Sequence, residues 1–424
     1  MASQSVLWLV RRDGTGRREL THVGQPPGGH RAPSWSHDGR HIVFIVSQGG
    51  WTNEIWTVDV AGGAMQRVTV APGGADPAFA PGDRSIYWGG TSREGNGRLW
   101  RHAIAADGTP RGSEEVVVPL DAGIVNGVSL SASGAVAFGL VTEDSNLWAV
   151  DLGPDGAALE PRRLTDDVAR NTEPDYSNDG RVAYFQAFVG SPPSVWLMRD
   201  DGTARAPLVA GLEAWNPQWD SGDSRVLVVR APMTARTLAW VDAATRRVTP
   251  IDLAVGDMQH PRLSPDGREL AFHVIAPDGV MNVWTQRLDG PRVRITSDPE
   301  AVSYPVWSPD GLSLAVEIKR GDQTVIGVVA RDGGPVTHLT ADRGRSWPHS
   351  WAPDNDRIAF AGERDGVWNL YAVSRRTRAV TALTTFKDAG GYVRYPAWSP
   401  HGSRVVFERS LRTGGVWTLA LPTD

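Results

Sequence analysis

The chain has no cysteine among its 424 residues. That excludes disulfides, thiolate metal sites and a cysteine nucleophile. Lysine is almost as scarce: of 43 basic residues only Lys319 and Lys387 are lysines and the rest are arginines, a bias that fits a GC-rich bacterial genome. Against 48 acidic residues this leaves a net charge of -5, which argues against a nucleic-acid footprint. No apolar stretch approaches the roughly 20 residues of a membrane helix. Residues 6–10 are apolar, but Arg11 and Arg12 end the run far short of a signal-peptide core. The expectation is a soluble monomer without membrane insertion, cytoplasmic as it stands and periplasmic if a leader was removed. Helical periodicity is missing too.

What the chain does have is repetition. Ala32-Pro33-Ser34-Trp35-Ser36-His37-Asp38-Gly39 returns as His260-Pro261-Arg262-Leu263-Ser264-Pro265-Asp266-Gly267 and as Tyr304-Pro305-Val306-Trp307-Ser308-Pro309-Asp310-Gly311. The anchor residues are Trp35, Phe79, Leu130, Tyr176, Trp219, Leu263, Trp307, Trp351 and Trp398, at a near-fixed period from end to end. A period of about 40 to 50 residues with strand patterning indicates propeller blades.

Each repeat reads as four strands. The anchor ends the first. Ser-Pro-Asp-Gly makes a turn, because proline presets φ, aspartate binds local amides and glycine accepts positive φ. An apolar run such as Leu270-Ala271-Phe272 is the second strand. A hydrophobic-Trp pair marks the third (Leu147-Trp148, Val283-Trp284, Val416-Trp417), and Leu-Thr marks the end of the fourth (Leu164-Thr165, Leu339-Thr340, Leu383-Thr384).

Strand counting predicts an all-β, single closed β-propeller over residues 1–424. It has about nine four-stranded blades, or eight if the degenerate Leu130 repeat is irregular. The last repeat is short of a strand, and residues 6–10 and 18–22 resemble third and fourth strands. The N- and C-terminal strands are therefore expected to share the last blade.

This phrase, Trp-Ser-Pro-Asp-Gly followed by an Ile-Ala-Phe-like strand, Leu-Trp, Asp-x-x-Gly-Gly and Leu-Thr, resembles the TolB-type, WD-repeat-like propeller repeat. The resemblance covers residues 6–421 and implies a fold more than a function. TolB itself carries a smaller N-terminal domain and six blades, unlike this chain. Peptidases with such propellers carry Gly-x-Ser-x-Gly, which is missing here, so their activity does not carry over.

Most tryptophans sit at repeat positions and are expected in the core, Trp35 and Trp417 among them. Trp51, Trp88, Trp215, Trp240 and Trp347 fall out of register. The strongest functional clue is the pair of positions three and four residues before each anchor. First strands line the channel of a propeller, and here the repeat varies where its surroundings do not. The candidate ligand- or partner-binding residues are Arg31, Asp76, Glu173, Trp215, His260, Tyr304, Trp347, Arg394 and Tyr395. A pocket needs such a mixture of aromatic and polar groups.

Asp76 and Glu173 would form an acid–base pair only if they met across the channel. His260 and His349 enter first strands, but no metal-ligand spacing is present, and we expect neither metal nor cofactor. The favoured function is non-catalytic: a binding, sensor or interaction scaffold that takes a protein, peptide or small-molecule ligand at the channel mouth. The alternatives are a metal-dependent lyase or hydrolase at the channel, and an excised sensory part of a larger regulator or an engineered repeat scaffold.

Overall fold

The computed structural model describes residues 5–47, 52–72, 75–91, 97–120, 123–187, 193–230, 236–253, 255–276, 279–297, 300–341 and 344–420. Trp51 and the side chain of His349 lie outside the described residues. The described chain is all β, without a helix long and apolar enough to cross a membrane. All nine anchors are the last residues of first strands, from Gly29–Trp35 to Gly391–Trp398.

Seven repeats form four-stranded antiparallel sheets in chain order: those of Trp35, Phe79, Tyr176, Trp219, Leu263, Trp307 and Trp351. The Leu130 and Trp398 repeats do something else. Each has a 17-residue strand, Ala135–Asp151 and Arg404–Ala420, where the repeat calls for two strands and a turn. The two long strands pair antiparallel over their whole length, from Ala135 opposite Ala420 to Asp151 opposite Arg404. The two repeats have thus exchanged third strands. Residues 144–151, with Leu147-Trp148, complete the Trp398 repeat, and Arg162–Arg163 adds its fourth strand. Residues 412–420, with Val416-Trp417, serve as third strand to Ile124–Leu130 and residues 135–143.

This exchange divides the nine repeats. The completed Trp398 sheet packs on the Trp351 sheet on one side and the Tyr176 sheet on the other, and the Trp219, Leu263 and Trp307 sheets follow round. These six sectors close a ring. The Trp35, Phe79 and Leu130 sheets pack in series as an arc, joined to the ring through the long strands.

Two expectations are corrected. The chain folds as a six-sector ring with an arc, in place of one nine-sector circle. The N- and C-terminal strands also do not share a blade. Trp8–Leu9 pairs with Arg18–Glu19 in a separate two-stranded sheet, whose Leu7 and Leu20 cover the outer face of the Trp35 sheet through Ile42, Phe44 and Val58.

The repeat phrase explains how sectors hold. In the turn, Ser308 Oγ donates to Asp310 Oδ1 (2.6 Å) and accepts from Ser313 N (2.9 Å), and Gly311 takes φ 69°. The Leu-Thr ending is a clasp: the Thr340 hydroxyl accepts the Ile326 amide at 2.9 Å, and Thr21, Thr165, Thr296 and Thr384 do the same for Leu7, Leu147, Val283 and Leu370. Each buried donor is thereby satisfied. Anchors stitch sector to sector. Trp307 Nε1 donates to Arg262 O and Trp351 Nε1 to Val306 O, both at 3.1 Å on the preceding first strand.

That stitching explains two tryptophans expected in the core and found outside it. Trp35 has no full sector before it and is 51% exposed; Trp417 has none after it and is 56% exposed. They mark the two ends of the arc. Conversely, out-of-register Trp88 and Trp240 are buried in sheet packing.

Candidate functional site

Three residues before each anchor the first strand kinks. Glu173, Asn216, His260, Tyr304 and Tyr395 in the ring, with Ala32 and Asp76 in the arc, all have φ between 47° and 53°. Each coincides with a register shift against the second strand. A left-handed conformation costs an ordinary residue roughly 1–2 kcal/mol, and a bulge re-aims a side chain. The Trp351 repeat has Pro348 at this position, whose ring forbids positive φ; there the shift moves to between Pro348 and Ser350. The bulge belongs to the repeat, while the side chains it presents are particular to each sector.

The kink is held by the neighbouring sector. Glu173 Oε2 accepts the Asn216 amide at 3.0 Å, and Asp76 Oδ2 accepts the Gly127 amide at 2.7 Å. Asp175, Gln218 and Ser350 accept the next anchor's amide, from Trp219, Leu263 and Trp398. Asp76 and Glu173 are therefore committed to backbone donors in different sheets and do not meet as an acid–base pair.

Of the nine candidates, the ring gathers seven. Glu173, Trp215 and His260 line a cavity of about 180 Å³ with Asn216, Arg236, Met258 and Gln259. Tyr304, Trp347, Arg394 and Tyr395 line a smaller one of about 50 Å³. The His260 and Tyr304 rings, 4.6 Å apart, link the two. Trp347 stacks on Trp368 at 4.8 Å, and the Arg394 guanidinium lies 4.0 Å from the Tyr392 ring centre. Arg31 and Asp76 are not brought to this place. Arg31 sits in the arc, where it donates to Asn53 Oδ1 at 3.2 Å.

Sequence reasoning missed the second layer. Second strands are apolar runs, and three are interrupted at the residue opposite the position four before the anchor: His273 faces Gln259, Glu317 faces Ser303, and Glu408 faces Arg394. A polar residue inside such a run was the available signal. Glu408 is 0% exposed. It accepts from Ser145 (2.7 Å) and Thr172 (2.5 Å), and pairs with Arg170 (3.2 Å) and Arg394 (3.6 Å). It therefore ties the C-terminal strand of the ring to its first strands.

Burial governs the titration of these groups. It pushes the Glu173 carboxyl up, against the pull of Arg262 and Arg170, and takes Asp175 to about 6 and Glu317 to about 7. It lowers His273 to about 4, and His260 to about 3 with help from the charges of His273, Arg262 and Arg236. Burial opposes the charge of Arg170, but Glu408, together with Tyr392, Tyr395 and Glu143, outweighs it and raises that pKa. Near neutrality the two imidazoles are therefore neutral, while Arg170 stays charged beside Glu408. Among the described residues no three His, Asp or Glu side chains converge as metal ligands would.

A ring of antiparallel four-stranded sectors around polar and aromatic bulge residues defines a β-propeller. A family model described as TolB beta propeller domain matches residues 235–416. The Tol-Pal system protein TolB of Rhizorhabdus wittichii is 36% identical over 74 residues, and that of Zymomonas mobilis 32% over 74; each match spans 17% of this chain and about a sixth of the relative's length (16% and 15%). Among solved structures, one described as TolB from Agrobacterium tumefaciens shares 16% identity and a TM-score of 0.52, over 63% of this chain and 99% of that one. TolB from Acinetobacter baumannii shares 15% identity and a TM-score of 0.50, over 74% and 82%. Residues 235–416 thus match the TolB propeller domain, and the solved structures share the propeller fold.

Proposed function

We propose that the chain is a non-catalytic binding scaffold that takes a protein or peptide partner at the mouth of the ring's channel. The observation that carries this reading is the gathering of Glu173, Trp215, His260, Tyr304, Trp347, Arg394 and Tyr395 around two neighbouring cavities, with Glu173, His260, Tyr304 and Tyr395 themselves in the left-handed backbone conformation. Strain of that kind persists where the surroundings over-determine it and is concentrated at functional sites. Aromatic and arginine side chains on a rigid rim are the residue types that dominate partner recognition. The curated relatives are, by name, proteins of the Tol-Pal system, which favours a protein partner over a small molecule. The cytoplasmic placement expected from the sequence gains no support from these relatives.

A displayed random-peptide library panned against the protein tests the reading. Wild type is expected to enrich a family of sequences, and W215A/H260A/W347A to lose that enrichment while keeping its circular dichroism spectrum. Enrichment of the same peptides by both proteins would place binding elsewhere.

A further inference from the structure

The exchange of third strands leaves one sheet unfinished. In the ring, fourth strands are short edges of two to four residues, such as Arg162–Arg163, Ala206–Pro207, Val248–Ile251 and Thr337–His338. Short edges protect a sheet against further pairing. The Leu130 sheet has no such strand: among the described residues, 412–420 pairs only with residues 135–143, and beyond Arg412 its other edge faces no strand. Every residue from Arg412 to Thr418 is exposed, and Val416 is 82% exposed. The stretch 413–420 carries no lysine, proline or acidic residue to blunt it.

Register fixes which backbone groups point outward. The Arg412 amide still reaches Gly390 O on that edge, at 3.3 Å. Alternation along the strand then turns the N–H and C=O of Gly414, Val416 and Thr418 the same way. We propose that this edge pairs with the same edge of a second copy of the chain, antiparallel about a two-fold axis at Val416.

The sequence is complementary to itself in that register. Val416 faces Val416, Gly414 faces Thr418, Thr413 faces Leu419, and Arg412 faces Ala420, so no like charges are opposed. Trp417 faces Gly415, whose missing side chain leaves room for the indole; an aromatic opposite a strand glycine is a stabilising pair. The amides of Gly414, Val416 and Thr418 would meet the partner's carbonyls of Thr418, Val416 and Gly414. A symmetric interface of this kind closes on itself as a dimer. This revises the monomer expected from the sequence and is independent of the channel reading.

Sedimentation velocity over a concentration series tests it. Wild type is expected to associate to a dimer. V416K sets two lysines face to face and is expected to weaken association by about tenfold or more; V416E is expected to do the same. An equimolar mixture of V416K and V416E should dimerise again, a rescue that general destabilisation cannot produce. Wild type that stays monomeric throughout, V416K that dimerises like wild type, or a mixture that stays monomeric would each overturn the proposal.

Discussion

Replacing Glu408 with leucine is expected to destabilise the ring by about 3–5 kcal/mol, the usual cost of removing one partner from a buried ionic network. The carboxylate is fully buried and serves Ser145, Arg170, Thr172 and Arg394 together. Leucine would leave the partly buried Arg170 and Arg394 guanidinium groups without their counter-charge. E408Q keeps the shape and one acceptor, and is expected to lose less. Chemical denaturation, with hydrogen exchange along Arg170–Tyr176 and Gly391–Trp398, separates the outcomes. Faster exchange confined to those strands is the expected pattern. Stability unchanged in E408L would mean that Glu408 does not hold the seam.

The second large effect concerns Glu317, and its sign depends on pH. Burial raises its carboxyl to about 7, from 4.5. Ser303 donates to Oε1 at 2.9 Å, and Oε2 has no hydrogen-bond partner among the described residues. A carboxyl whose folded pKa is raised contributes stability that is complete below 4.5 and is lost as pH rises through 7. Above that pH the folded chain carries a buried charge. E317Q removes the slope and is expected to be more stable than wild type at pH 8 by about 2–3 kcal/mol, with little difference at pH 4.5. Asp175, raised to about 6, acts in the same direction in both proteins. His260 and His273 act oppositely: their folded pKa values are depressed, so their contribution is present above 6.5 and lost as pH falls toward 4 and 3. Melting temperatures of the two proteins from pH 4.5 to 8.5 check this. Parallel curves would show that Glu317 does not titrate within the fold's stability range.

The anchors and turns were legible because they are local. Pro309, Asp310 and Gly311 specify their turn without reference to the rest of the chain, and Leu339-Thr340 its clasp. The candidate positions were legible for the same reason, since the bulge recurs at a fixed distance before the anchor. The exchange was not. Leu147-Trp148 and Val416-Trp417 are equivalent third strands, and local pattern cannot say which second strand each will join. One cue was present: Thr142-Glu143-Asp144-Ser145 has no glycine or proline to turn the chain, and it runs straight. Arg31 and Asp76 occupy the same repeat positions as the ring's candidates, but the ring closes without the arc and leaves them outside it.

The account stands on the pairing of Ala135–Asp151 with Arg404–Ala420. Thr142 and Thr413 face each other across it, with hydroxyl oxygens 2.6 Å apart, and the chain has no cysteine to interfere. T142C/T413C is expected to form a disulfide nearly quantitatively under mild oxidation, at a cross-strand separation such a bond spans without distortion, and to raise the melting temperature. A double variant that stays reduced, with both thiols freely labelled in the folded protein, would contradict the exchange and the ring built on it.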